Sequence, residues 1–159
     1  MEGAMAYEVE IRRLPPVRLA GLAHTGPYPA VAPVFQRLVS LIPEPSRAEV
    51  EHPAMIGHDN PRTVPAEDLR SHACFIVGEG FVIFPPLEEI RYPAGRYATL
   101  TIAGPYEQLP EAYRWLAQEW YPASGEAPRG LDRYEVYLND PFEPKPGNLL
   151  TEIRLPLKD

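Results

Sequence analysis

The pattern of apolar and polar positions divides the chain into two similar series of elements. In the first, residues 7–13 and 17–25 alternate apolar or β-branched with polar side chains, the period of a strand, around a turn at Leu14-Pro15-Pro16. Gly26-Pro27 breaks the second strand. Val31, Phe35, Leu38 and Ile42 then recur at i, i+4, i+7 and i+11, which predicts an amphipathic helix over residues 28–42, stopped by Pro43. Pro29 and Pro33 fall near its first turn, where a missing N–H does least harm. The acidic connector EPSRAEVEHP leads to a short strand at 54–58, a turn at Asp59-Asn60-Pro61 and an apolar strand at 73–77.

The second series repeats this plan. Residues 81–84 are a strand or a linker. Strands at 87–92 and 96–103 flank Pro93-Ala94-Gly95, and Leu109, Tyr113, Leu116 and Trp120 form the stripe of a helix over 106–120 that ends before Pro122. A loop at 124–130 and closing strands at 134–138 and 150–157 follow. At an offset of 78, Arg13, Pro15, Arg18 and Ala20 meet Arg91, Pro93, Arg96 and Ala98, and Gly26-Pro27-Tyr28 meets Gly104-Pro105-Tyr106. At an offset of 80, Asp59-Asn60-Pro61 meets Asn139-Asp140-Pro141. Internal repetition of this kind predicts an α+β fold made of two strand-helix-strand-strand modules, residues 7–79 and 85–157, within one domain spanning 1–159. Each module alone has too few strands for a core. They are expected to fuse into one antiparallel sheet about a pseudo-twofold axis, with both helices on one face and a ligand cleft between the modules.

Composition narrows the function. The chain has 159 residues, 45% of them hydrophobic, enough for one core. No apolar run approaches the ~20 residues that span a bilayer, and the acidic N-terminal stretch does not read as a secretory signal. A net charge of −7 argues against direct DNA binding, which needs clustered Lys and Arg. The single cysteine, Cys74, permits no intrachain disulfide and suits a reducing cytoplasm. The 21 prolines are scattered between apolar runs and read as rigid turns rather than low complexity.

Most familiar chemistries find no motif. His52 and His58 lack any metal-site spacing, so neither a metal nor a cofactor is expected. No serine sits in a GxSxG elbow, and Cys74, within HACFIV, reads as a packed thiol. The informative segment is YEVYL. Strand alternation sends Glu135 and Tyr137 to one side and Tyr134, Val136 and Leu138 to the other. A generic strand would leave Glu135 on a solvated face. This strand instead follows the second helix and is expected inside the sheet near the module junction, where its acid meets aromatic rings. A carboxylate among rings is costly to bury unless a cation comes with it, and ring faces attract the same cation. The expected ligand-binding residues are Glu135, Tyr137, Tyr106, Trp115, Trp120 and Phe75, around a small hydrophobic or cationic organic molecule. Trp115 enters because Arg37 holds the matched position in the first helix; helix–sheet packing is the competing reading for both tryptophans.

The run LPPVRLAGLAHTGPY, IGHDNP, YPAGRYATLTIAGPY, YEVYLNDP and EIRLPL resembles the GyrI-like small-molecule-binding domain over nearly the whole chain. That family includes effector domains of multidrug-responsive transcription regulators and stand-alone DNA gyrase inhibitory proteins. The resemblance implies the two-module fold and makes Glu135 the buried acid of the ligand pocket. Because the matching region begins almost at Met1 and ends at Asp159, the expectation is a sensor domain without a DNA-binding region. The resemblance also implies two alternatives: a hydrolase of cyclopropane-bearing genotoxins using Glu135, and a gyrase-inhibitor-like protein partner, itself unidentified.

Overall fold

The structure, a computed structural model, describes residues 7–138 and 150–159. The expected match at Asn139-Asp140-Pro141 lies outside the described residues. Among the described residues, eight antiparallel strands form one sheet: β1 (Glu10–Leu14), β2 (Val17–Thr25), β3 (Val50–Gly57), β4 (Arg70–Val77), β5 (Glu88–Tyr92), β6 (Gly95–Ala103), β7 (Tyr134–Tyr137) and β8 (Leu150–Pro156). Their order across the sheet is β1-β6-β8-β7-β3-β4-β2-β5.

The connections explain the shape. Leu14-Pro15-Pro16 does not close a hairpin: β1 pairs with β6, while β2 lies between β4 and β5. Two consecutive prolines fix φ and offer no N–H, so this segment cannot make a paired two-residue turn. Yet only Pro15 and Pro16 separate Leu14 from Val17, a reach of about 11 Å when fully extended. β1 is at one end of the strand order and β2 is next to the other end, so the sheet must curl until its ends approach. Pro93 and Ala94 impose the same constraint between β5 and β6. The face that closes on itself is filled by Leu14, Leu19, Ala54, Ile56, Cys74, Ile76, Tyr92, Tyr97, Tyr134 and Val136, which come from both ends and the middle of the sheet. Cys74 is fully buried there, and desolvation pushes its thiol pKa up, as befits a packing residue.

Two helices cover the other face. α1 (Ala32–Ser40) follows a 3₁₀ turn at Tyr28–Val31 and has Pro33 in its first turn. It packs Leu38, with Ile42 just beyond its end, onto Ala20, Leu22, Ala73, Phe75 and Val77. α2 (Leu109–Trp115) packs Leu109, Ala112 and the following Leu116 onto Ala98, Leu100, Ile102, Ile153 and Leu155. The second helical segment does not end before Pro122. A π-helical turn at Leu116–Trp120 re-phases the backbone, and α3 (Tyr121–Ser124) restarts with Pro122 in its first turn, where no N–H is needed. Residues 81–84 are a linker, with Phe81 buried under α1. Both helical segments start from the same turn. Gly26 (φ 142°) and Gly104 (φ 122°) adopt a conformation that L side chains rarely reach, which is why glycine precedes each Pro-Tyr.

Candidate ligand site

Strand register puts one carboxylate in an apolar row. Reading across the sheet, Leu22 pairs with Ala73, Ala73 with Met55, Met55 with Glu135, Glu135 with Ile153 and Ile153 with Leu100. Directly paired residues point to the same side of a sheet. Leu22 and Ala73 lie under α1, and Ile153 and Leu100 lie under α2. Glu135 therefore occupies the helix-bearing face at the centre of the sheet, between the two helices. Alternation along β7 sends Tyr137 to the same side, while Tyr134 and Val136 enter the closed core.

Glu135 is half-buried, and both its oxygens are held. Tyr113 of α2 donates its hydroxyl to Oε1 at 2.8 Å, and Tyr137 donates to Oε2 at 2.7 Å. Desolvation raises the Glu135 pKa; the two phenolic hydrogen bonds and the nearby Arg133 charge oppose that rise without cancelling it. Burial and the adjoining carboxylate push the Tyr113 and Tyr137 hydroxyls well above the ordinary tyrosine value, so both remain donors. Rings surround this centre. Phe35 of α1 meets the Tyr137 ring edge-on at 5.9 Å between centroids, and Tyr106 meets it at 5.4 Å. The Arg133 guanidinium lies over the Tyr113 ring, 4.4 Å from its centroid.

The residue before Arg133 is anchored from two directions. Tyr92 donates its hydroxyl to the Asp132 carbonyl at 2.8 Å, and His58 Nδ1 lies 2.7 Å from Asp132 Oδ2. From His58 a chain runs on, with Nε2 2.7 Å from His72 Nδ1 and His72 Nε2 2.7 Å from Glu88 Oε1. These two histidines are partnered structural groups. On the α1 side, Tyr28 donates to the Asp59 carbonyl at 2.6 Å and lies against Gly57, where an added Cβ would meet its hydroxyl at 3.2 Å.

Of the residues expected at the site, the structure brings Glu135, Tyr137 and Tyr106 together. The Trp115 ring lies tilted against Tyr7 at 5.0 Å and the Trp120 ring meets Tyr121 edge-on at 5.2 Å, both in the apolar cluster of the second helical segment. Phe75 is buried in the cluster under α1. Tyr113 and Phe35 join the site from positions whose helical spacing reads as core. Their Glu- and Tyr-facing tips carry no periodic signal; the only clue was their equivalence at offset 78. A separate concavity of about 400 Å³ opens beside Pro15-Pro16, lined in part by Arg12, Arg18, His52 and Arg154. Arg12, Leu14, Ile76 and Arg154 line it from the opposite face to Glu135.

With this geometry in hand, similarity to known proteins is informative. Residues 7–158 match the GyrI-like small molecule binding domain, and the chain belongs to that family. A DNA gyrase inhibitor of Erwinia billingiae is 31% identical over 137 residues, covering 83% of this chain and 86% of the relative. One of Yersinia enterocolitica is 29% identical over 141 residues, covering 86% and 88%. Among solved structures, the C-terminal domain of EcmrR superposes with a TM-score of 0.73 at 18% identity, over 97% of this chain and 99% of that one. In the EcmrR–DNA complex, the match (TM-score 0.71, 17% identity) covers 96% of this chain and 57% of that chain. SAV2435 bound to tetraphenylphosphonium gives 0.65 at 15% identity, over 97% of this chain and 94% of that one. Among the described residues no helix is long and apolar enough to cross a membrane.

Proposed function

We propose that this chain is a receptor for cationic or aromatic small molecules, which enter between α1 and α2 and rest on Glu135. The observation that carries this reading is the single carboxylate in the apolar cross-strand row, held by two phenols and ringed by Phe35, Tyr106 and Tyr137. An unneeded acid at that position would only cost solvation. Membership of a small-molecule-binding family supports the reading, as does the tetraphenylphosphonium complex of a similarly folded protein. In this reading the chain does not bind DNA itself, in keeping with its charge of −7, and works in the cytoplasm.

The finer architecture belongs to the same proposal. Residues 7–79 and 85–157 form two copies of one module, related by a pseudo-twofold axis through the β3–β7 seam. The strand order supports this, because it reads the same backwards when β1–β4 are exchanged with β5–β8. So do the offset arginines: Arg18 donates to the Gly78 carbonyl at 2.7 Å and Arg96 to that of Lys158 at 2.8 Å. The ligand would then lie on the axis, where Met55 of one half faces Glu135 of the other.

Native mass spectrometry of protein purified under mild conditions tests the receptor reading. A retained organic molecule, lost in Glu135→Gln, supports it. A chain that holds none, and binds no member of a panel of aromatic and cationic compounds, contradicts it.

A hydrolytic reading has one observation in its favour. A carboxyl whose pKa is raised by burial, set between two phenols, is a group able to hold and pass on a proton. Addition of one water to an electrophilic cyclopropane compound, followed by mass spectrometry and abolished in Glu135→Gln, would establish it.

A further inference from the structure

We propose that Arg133 is the site's resident cation, and that it selects uncharged aromatic ligands over lipophilic cations. The inference rests on the reading of the Glu135 cleft as the ligand site and names the ligand class within it.

The geometry assigns Arg133 an unusual task. Arg12, Arg18, Arg70, Arg96 and Arg154 each reach a carboxylate. Among the described residues Arg133 makes no such pair. Its guanidinium is laid over the Tyr113 ring at 4.4 Å instead, and the hydroxyl of that same ring donates to Glu135. A cation on a ring face is held by the ring's quadrupole. One face of the ring beside Glu135 is therefore already occupied by positive charge.

Its placement is built in. Arg133 follows Asp132, whose carbonyl and carboxylate are tied to Tyr92 and His58, and it precedes β7, whose residues pair on both sides. The guanidinium thus projects from a fixed point. Nearby, Asp59 is paired with Arg70, which bonds it through both Nε and a terminal nitrogen, and the Asp132 carboxylate is paired with His58. His58 is engaged by Asp132 and His72 and turns no unpaired nitrogen to the cleft. Tyr28 and Tyr106 contribute neutral phenols.

The consequence for binding follows from charge. A monocation entering the cleft gains Glu135 but meets Arg133. It must tolerate the repulsion or drive the guanidinium off Tyr113. A flat uncharged aromatic molecule leaves Arg133 in place and can stack on the exposed ring of Tyr106.

The test titrates a monocationic rhodamine ester and an uncharged coumarin against wild type, Arg133→Gln, Arg133→Lys and Glu135→Gln, with thermal unfolding to verify each fold. In Arg133→Gln the rhodamine is expected to bind about tenfold more tightly, equal to ~1.4 kcal/mol, while the coumarin changes less than about twofold. Arg133→Lys keeps the charge and is expected to keep the wild-type preference. Rhodamine affinity unchanged in Arg133→Gln, while Glu135→Gln still weakens it, would overturn the inference and leave the receptor reading standing. Weakening of both dyes in Arg133→Gln would make Arg133 a support for Tyr113 and overturn it too. If no substitution moves either dye, the site reading fails and this inference with it.

Discussion

Met55 and Glu135 face each other across the seam between β3 and β7, the two central strands of the sheet. They lie 80 positions apart, the offset that aligns the two halves over this stretch. In the proposed two-module arrangement, one position carries a thioether in the first half and an acid in the second. Met55 is buried, and its side is consistent with ordinary packing. The acid opposite it is the chemical departure that the rest of the site is arranged around.

That departure has a cost that pH should expose. The Glu135 pKa in the fold lies above its ordinary value of 4.5, chiefly through desolvation. A raised carboxyl favours the fold when protonated. Its contribution is fully present below 4.5 and is lost as pH rises through the folded value. Glu135→Gln is therefore expected to unfold at a higher temperature than wild type near neutral pH, with the difference closing as pH falls below 4.5. A melting series across pH checks it, and a gap independent of pH would contradict the assignment.

Asp59 should behave in the opposite sense. Its carboxylate accepts from the Arg70 backbone N–H at 2.8 Å and from the Arg70 guanidinium, which holds its pKa down to about 2. A depressed carboxyl contributes stability above its ordinary value of 3.8 and loses it as pH falls through about 2. Asp59→Asn is expected to lower the melting temperature near neutral pH and to match wild type at the acid end of the same series.

The stripe of α1 divides into core and site, and truncation should separate them. Leu38 is fully buried against the sheet, so Leu38→Ala is expected to cost ~2–5 kcal/mol. Phe35 is half-buried with its ring against Tyr137. Phe35→Ala is expected to cost less than the ~3–5 kcal/mol of a buried phenylalanine and to weaken aromatic ligands. Urea unfolding and dye titration together check both.

How much of this was legible in the sequence depends on which period carries each feature. Alternation in YEVYL was enough to send Glu135 and Tyr137 to one side, because side-chain direction in a strand is local. The offset of 78 aligns Arg18 with Arg96, and each donates to a backbone carbonyl, of Gly78 and of Lys158. Strand pairing was not legible: Leu14-Pro15-Pro16 reads as a turn, and only the distant partners of β1 and β2 reveal that the chain steps from one end of a curled sheet to the other. Nor was the helix beyond Pro122, because a π turn that re-phases the backbone leaves no mark in the apolar stripe. Tyr113 carried the period of a core residue, and that period says nothing about where a hydroxyl ends. Arg133 stood just outside the strand, where alternation gives no direction. Trp115, set apart by Arg37 at the matched position, and Trp120, in the apolar stripe, have their rings against Tyr7 and Tyr121.

The most direct test of the Glu135-centred receptor is the loss of affinity on neutralising that one acid. Titration of a monocationic rhodamine and an uncharged dye against wild type and Glu135→Gln should show the cation weakened by ~1.5–3 kcal/mol, the range for hydrogen bonds to a charged group, and the uncharged dye weakened less. In wild type the cation's affinity should fall as pH drops through the raised Glu135 pKa. Equal losses for both dyes, or a cation that binds Glu135→Gln as tightly as wild type, would contradict the account.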